Sequence, residues 1–323
     1  MAEEILKIQD LCTYFENDEG KVYKAVDKVS FNINKGEVFG MVGESGSGKS
    51  VCCRSIIHLV PSPGKIVSGK IIFEGTDITK ASEEQMDKIR GKKIGMIFQE
   101  PMNTLNPVTT IGTQLIETMD RTKMTKEEKR ERAIELLKMV EIPSPADRLS
   151  EYPHQFSGGM RQRAMIAIAL APMPELLIAD EPTTALDVTI QAQIVNLLLS
   201  LREKLNMSLI LITHDLGVAS QMCDRIGVMY AGHIMEIARA DDLMWDTYHP
   251  YTQGLLNSLP SNNSKGKKLT PIKGAPLDLS KYTGGCPFAP RCPNCQSKCE
   301  LEFPEMRELS SGHFVRCHFP EKR

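Results

Sequence analysis

Hydrophobic and polar residues alternate over most of the first 43 positions. ILKIQDLCTYF, KVSFNIN and GEVFGMVG carry β-branched and aromatic residues, and the turn residues DEG and NKG separate them. The pattern predicts three strands. A helical stretch, SVCCRSIIHLV, begins where GESGSGKS ends, and Pro61, Pro63 and Gly64 are expected to stop it. GKIIFEG and KKIGMIFQ read as further strands. From about 103 to 171 the text turns charged and helix-forming, as in TKEEKRERAIELLKMV, and closes with SGGMRQRAMIAIALA. Then come a short apolar strand (LLIADEP), a helix (TIQAQIVNLLLSLREKL), a second apolar strand (SLILITHD), another helix and RIGVMY. Apolar strands alternating with helices predict a mostly parallel sheet covered on both faces. Residues 261–274 (SNNSKGKKLTPIKG) have the composition of a linker. The tail beyond shows little periodicity and is expected to need a staple to fold.

Composition narrows the class. The 323 residues are 41% hydrophobic and 25% charged, which excludes wholesale disorder and fibrous folds. Lysine and arginine number 39 against 41 acidic residues, a net charge of −2, so no global field favours nucleic acid. No apolar run approaches the roughly 20 residues of a membrane span. The start, MAEEILKIQD, lacks the basic-then-apolar order of a signal peptide. A cytosolic chain that meets a membrane only through a partner is expected. Of nine cysteines, Cys286, Cys292, Cys295, Cys299 and Cys317 lie in the last 38 residues, and the other four read as small core residues. In a reducing compartment the tail group points to a metal or iron–sulfur site rather than to disulfides.

The most specific chemistry sits at Gly43-Glu44-Ser45-Gly46-Ser47-Gly48-Lys49-Ser50, a full G-x-x-x-x-G-K-[ST] loop between a strand and a helix. Glycines let several backbone N–H groups turn toward phosphate oxygens, and the helix start favours the same anion. Lys49 supplies positive charge to the terminal phosphates, and the Ser50 hydroxyl can ligate Mg²⁺. Val51, next on the helix, is counted with the nucleotide-binding set. LLIADEP brings Asp180 to a strand end, where it can reach Mg²⁺ through water, and Glu181 next to it can polarise an attacking water.

Taken with these motifs, the chain resembles the ATP-binding cassette (ABC) ATPases over about 240 residues. Phe156-Ser157-Gly158-Gly159-Met160-Arg161-Gln162-Arg163 is similar to the family signature LSGGQ, departing from it at Phe156 and Met160. The resemblance implies that Ser157, Gly158 and Gly159 meet the γ-phosphate held by an opposite subunit. It makes Gln99 the Q-loop contact to Mg²⁺ and water, Ala185-Leu186-Asp187 the D-loop, and His214 the switch histidine. It makes Phe15 the aromatic that stacks on adenine, with Tyr14 as the alternative. The implied fold is an α/β P-loop NTPase cassette: a RecA-like parallel-sheet core with N-terminal antiparallel strands (1–102 and 172–240), an inserted α-helical subdomain (103–171), and a Cys-rich C-terminal extension (241–323). QEPMNTLNP, HPYTQGLLNSLP and GCPFAPRCP further resemble the ATPase subunits of dipeptide and oligopeptide importers, with nickel-import ATPases sharing the first two.

What this implies is an ATPase using ATP and Mg²⁺ to power peptide import. Its expected partners are a homologous second ATPase (or a second copy) in a nucleotide-sandwich dimer, two transmembrane permease subunits contacted through 99–107, and, indirectly, an extracytoplasmic peptide-binding protein. Its expected place is the cytoplasmic face of the membrane. A soluble ABC ATPase working on nucleic acid or ribosomes is the rival class, but such proteins usually carry two cassettes, long coiled coils or inserted DNA-binding modules, and none is visible. In the tail, C-x5-C-x2-C-x3-C-x17-C offers enough thiolates for Zn²⁺ or for a [4Fe–4S] cluster, and Cys292-x2-Cys295 alone leans toward zinc. The resemblance implies a cluster on Cys286, Cys292, Cys299 and Cys317, with Cys295 spare.

Overall fold

The N-terminal alternation folds into paired strands. The computed structural model describes residues 3–99, 104–120, 123–184, 186–259 and 271–323. In it β1 (Glu4–Glu16) pairs antiparallel with β2 (Val22–Asn34). After β3 (Val38–Val42) and α1 (Lys49–Ile56), β4 (Lys65–Phe73) pairs with the other edge of β1, and β5 (Thr76–Asp77) completes an antiparallel sheet of order β2-β1-β4-β5. β1 supplies Leu6 and Ile8 to the core two positions apart, as strand alternation predicts, and a register shift between Ile8 and Leu11 brings Leu11 in as well. α1 stops at Ile56, ahead of the prolines expected to end it. His58 takes a left-handed conformation (φ 54°), and the Leu59 amide donates to the Arg54 carbonyl at 2.8 Å, closing the helix end.

Packing divides the chain into two compact units, 1–80 with 211–323, and 81–210. The second unit holds α2 (Glu83–Met86), β6 (Ile94–Ile97), α3 (Ile111–Thr118), α4 (Lys126–Met139), α5 (Pro145–Arg148), α6 (Gly158–Leu170), β7 (Leu176–Asp180) and α7 (Val188–Leu205). β6 and β7 run parallel. The first half of β8 (Ser208–Thr213) belongs to this unit, the Ser208 amide donating to Glu175 at 2.9 Å. Every residue of β3, β7 and β8 is buried, which explains why β7 and β8 read as continuous apolar runs and departs from the alternation expected of β3.

The chain re-enters the first unit within β8. There follow α8 (Leu216–Met222), β9 (Arg225–Tyr230), β10 (His233–Arg239), α9 (Ala240–Trp245), α10 (Pro250–Asn257), α11 (Ser297–Leu301), β11 (Met306–Ser310) and β12 (His313–Arg316). Strand order in this unit is β11-β12-β10-β9-β3-β8. β3 and β9 are parallel, whereas β9/β10, β10/β12 and β11/β12 are antiparallel, so the sheet here is mixed rather than mostly parallel. The tail expected to lack regular structure thus supplies two strands, and β12 pairs with β10 (Glu236 opposite Val315). HFVR is too short to show a period. Residues 241–323 pack with β10 for this reason, and 103–171 share a unit with β6, β7 and α7. Of the linker, 261–270 lie outside the described residues.

Two buried histidines give this unit a defined acid sensitivity. His249 caps α10, its Nδ1 accepting from the Tyr251 amide at 3.0 Å, and His233 tilts against the Phe303 ring. Burial lowers both pKa values to about 4. An unfolded histidine titrates near 6.5, so between about 6.5 and 4 the unfolded chain binds more protons. Stability is expected to fall on acidification through that window, by up to about 1.4 kcal/mol per pH unit for each histidine. A thermal midpoint unchanged between pH 7 and pH 5 would count against this.

Candidate functional site

The Gly-rich loop follows β3 directly and is braced from behind. The Gly232 amide donates to the Ser47 carbonyl at 2.9 Å. A Cβ on Gly43 would collide with the Met229 carbonyl, and one on Gly48 (φ 104°) with the Ala25 carbonyl, so neither position accepts a side chain without moving the loop. Gly48 caps α1 and Gly46 is also left-handed. Lys49 opens the helix with a buried side chain, its ammonium donating to the Gly43 and Glu44 carbonyls at 2.8 Å each and to Ser47 Oγ at 3.3 Å. Ser50 and Val51 continue the first turn, and Ser45 lies exposed on the loop. Loop amides, a helix start and a confined ammonium form a receptor for an anion of phosphate geometry.

Elsewhere in the first unit, Tyr14 and Phe15 end β1. The Tyr14 hydroxyl donates to Asp27 Oδ1 at 2.8 Å and its ring lies under the Lys24 ammonium, while Phe15 packs against Gly64. His214 is exposed just past β8.

In the second unit β7 delivers a fully buried Asp180 at its end. Glu181 follows with φ +46°, a left-handed conformation uncommon for a residue with a Cβ and one that clusters at functional sites. Its Oε2 accepts from Gln99 Nε2 at 3.0 Å and from the Thr184 hydroxyl at 2.7 Å. Ser157 caps α6, accepting from the Met160 amide at 3.3 Å, and leaves Gly158 and its own side chain exposed. Phe156, where the signature usually has leucine, is buried, so that departure is a core substitution. Asp187 caps α7 through the Ile190 amide at 2.9 Å. Ala185 lies outside the described residues, as do 100–103 of the 99–107 segment.

The tail cysteines separate into four and one. Cys286, Cys292, Cys299 and Cys317 line one small, partly open cavity with Phe288, Ala289, His249, Pro250 and Phe319, and Cys295 is not among its lining residues. Burial pushes the Cys286 thiol to about 12 and the Cys292 thiol to about 11, with the neighbouring thiols adding to both. Among the described residues no group of three or more His, Cys, Asp or Glu side chains is disposed to hold a metal ion. Zinc, which draws its ligands to roughly 2–2.3 Å, therefore finds no ready-made site.

Four contacts of these sites escaped sequence reasoning. Thr184 follows Glu181 by three positions in EPTT, a spacing that carries no signal by itself. Glu44 occupies a variable position of the loop, and Tyr251 and Arg291 lie within HPYTQ and APRCP without a legible role. All three meet: the Glu44 amide donates to Tyr251 Oη at 2.9 Å, and Arg291 forms a two-pronged pair with the Glu44 carboxylate.

Fold and loop together define a phosphate-loop nucleotide-binding protein. The family profile described as "ABC transporter" matches residues 26–184, and "Oligopeptide/dipeptide transporter, C-terminal region" matches 235–299. The dipeptide transport ATP-binding protein DppD of Bacillus subtilis is 49% identical over 99% of this chain and 96% of its own length. The oligopeptide transport ATP-binding protein AppD of the same organism is 50% identical over 98% and 97%. A solved dimeric ATP-binding cassette in a post-hydrolysis state, bound to ADP and phosphate, superposes with a TM-score of 0.65 at 32% identity, covering 73% of this chain and 98% of that one. The chain belongs to the ABC transporter family and is an ATPase of the cassette fold.

Proposed function

We propose that this chain is the ATP-hydrolysing subunit that powers import of dipeptides or oligopeptides through a membrane permease. The observation that carries this reading is a braced phosphate loop in a chain matched along nearly its whole length by dipeptide and oligopeptide transport ATP-binding proteins. No observation favours the nickel-import or nucleic-acid readings.

Residue roles follow from chemistry and position. Gly43, Ser45, Gly46, Ser47, Gly48, Lys49 and Val51 cradle the phosphates. Ser50 and Gln99 would hold magnesium, with Asp180 reaching it through water, and the ion would neutralise phosphate charge. Glu181 orients and polarises water, and His214 with Lys49 stabilises charge on the transferred phosphate. Tyr14 is already committed to Asp27, which leaves Phe15 to stack on adenine. Ser157, Gly158, Gly159 and Asp187 serve a nucleotide held by another cassette, so a complete site takes two cassettes, and the solved dimeric relatives support this. The closing and opening of that dimer drives the permease, with 99–107 as the contact segment and the protein peripheral at the cytoplasmic face. Among the described residues no helix is long and apolar enough to cross a membrane. Beside the two packing units, the proposed functional anatomy is 1–102 with 172–240 as the nucleotide-binding core, 103–171 as the signature subdomain and 241–323 as the extension.

The resemblance to peptide-importer ATPases assigns an iron–sulfur cluster to four tail thiols, and the same four line one cavity, the number such a cluster takes. Cys286, Cys292, Cys299 and Cys317 are its proposed ligands, and the cluster would staple the tail. Iron, sulfide and zinc analysis of anaerobically purified protein tests this; a zinc-loaded or metal-free protein would overturn it. For the transport reading the test is ATP-dependent uptake of labelled dipeptide by vesicles holding the full complex. Peptide uptake indifferent to removal of this subunit would sink it.

A further inference from the structure

The C-terminal region reaches back onto the phosphate loop. Glu44, next after Gly43, is held from three directions. Its carbonyl receives the Lys49 ammonium at 2.8 Å, and its amide donates to Tyr251 Oη at 2.9 Å. Its carboxylate takes Arg291 Nη1 at 2.6 Å and Nη2 at 3.0 Å. Arg291 is itself fixed. Its side chain is 4% exposed, its Nε donates to the Lys273 carbonyl at 3.1 Å, and its guanidinium lies 5.7 Å from the Tyr230 ring and 6.0 Å from that of Phe288. Tyr251 is fully buried against the same two rings. An exposed ion pair would contribute little, but this one is bidentate, with the Glu44 side chain 25% exposed beside the buried arginine, so removing either partner leaves the other poorly compensated.

We infer that Arg291 and Tyr251 are positioning residues for ATP binding, fixing the Gly43–Glu44 peptide so that Lys49 and the loop amides keep the shape a triphosphate requires. The inference rests on the nucleotide reading above and adds a dependence of that site on the C-terminal region. A mere tether of the tail would use the same contacts but would not affect nucleotide affinity in the folded protein.

The test is titration of the full-length chain with a fluorescent N-methylanthraniloyl-ATP, alongside thermal midpoints. Arg291→Met keeps the apolar stem and loses the donors, and Glu44→Gln removes the charge at nearly constant shape. Each is expected to weaken binding about tenfold, the double variant no more than either alone, and Arg291→Lys to recover part of the loss. Tyr251→Phe removes one hydroxyl and is expected to weaken binding roughly fivefold, which keeps the test decisive should Arg291→Met fail to fold. Midpoints that drop while affinity stays at the wild-type value, or losses that simply add, would overturn the inference. The wild type and Lys49→Ala separate the two readings: a wild-type chain that binds no better than Lys49→Ala takes down both, whereas a clear difference there with unaltered Arg291 and Tyr251 variants takes down this one alone.

Discussion

Glu181→Gln is expected to retain ATP binding and to lose turnover by a factor on the order of 10²–10⁴, the usual contribution of a positioned general base. The substitution is isosteric. Glu181 Oε2 accepts from Gln99 and Thr184, and a glutamine amide oxygen in the same place can accept from both. The left-handed backbone at 181 is set by the end of β7 and carries over. Only basicity is removed, so affinity and rate should separate cleanly. Phosphate release by the assembled complex, measured beside nucleotide affinity, checks this; a variant with the wild-type rate would remove Glu181 from the proposed role.

Glu236→Ala is expected to destabilise the first unit by about 3–5 kcal/mol. This carboxylate is fully buried in β10 and answers four donors: the Thr247 hydroxyl and Tyr248 amide at 2.8 Å each, the His249 amide at 3.2 Å, and His313 Nε2 of β12 at 2.8 Å. Burial works to raise its pKa, but these partners prevail and hold it below the ordinary carboxylate value. Truncation would strand all four at once, in a place closed to water. The thermal midpoint should drop by on the order of 10 °C. A drop of about 2 °C or less would mean that the network is a bystander to stability.

Much of the cassette was legible because its local chemistry is periodic or compositional. Continuous apolar runs marked β7 and β8, the N-terminal strand pattern marked β3, and the Gly/Lys loop announced its own backbone geometry. The tail was not legible for the opposite reason. β12 has four residues, and what orders it is Glu236, 77 positions upstream of His313. The thiols grouped in sequence, and their spacing alone did not set Cys295 apart; the resemblance did so, and in the fold Cys295 is not among the residues lining the cavity of the other four. Arg291 and Tyr251 likewise declare themselves only through Glu44, more than two hundred residues earlier, and no window along the chain contains that pair.

The outermost strand of the first unit's sheet is β11, and Arg307 and Glu308 line it, with Arg307 bonded to the Cys317 carbonyl. Inside it β12 covers β10, whose Ile234, Ile237 and Ala238 are apolar. A polypeptide leaving the ribosome makes β10 well before its cover, so a sticky, growth-competent edge stands open for that interval and is then sealed by a charged hairpin. Fibril-like association is thus a hazard of the half-made molecule, and the hairpin made after β10 is what retires it.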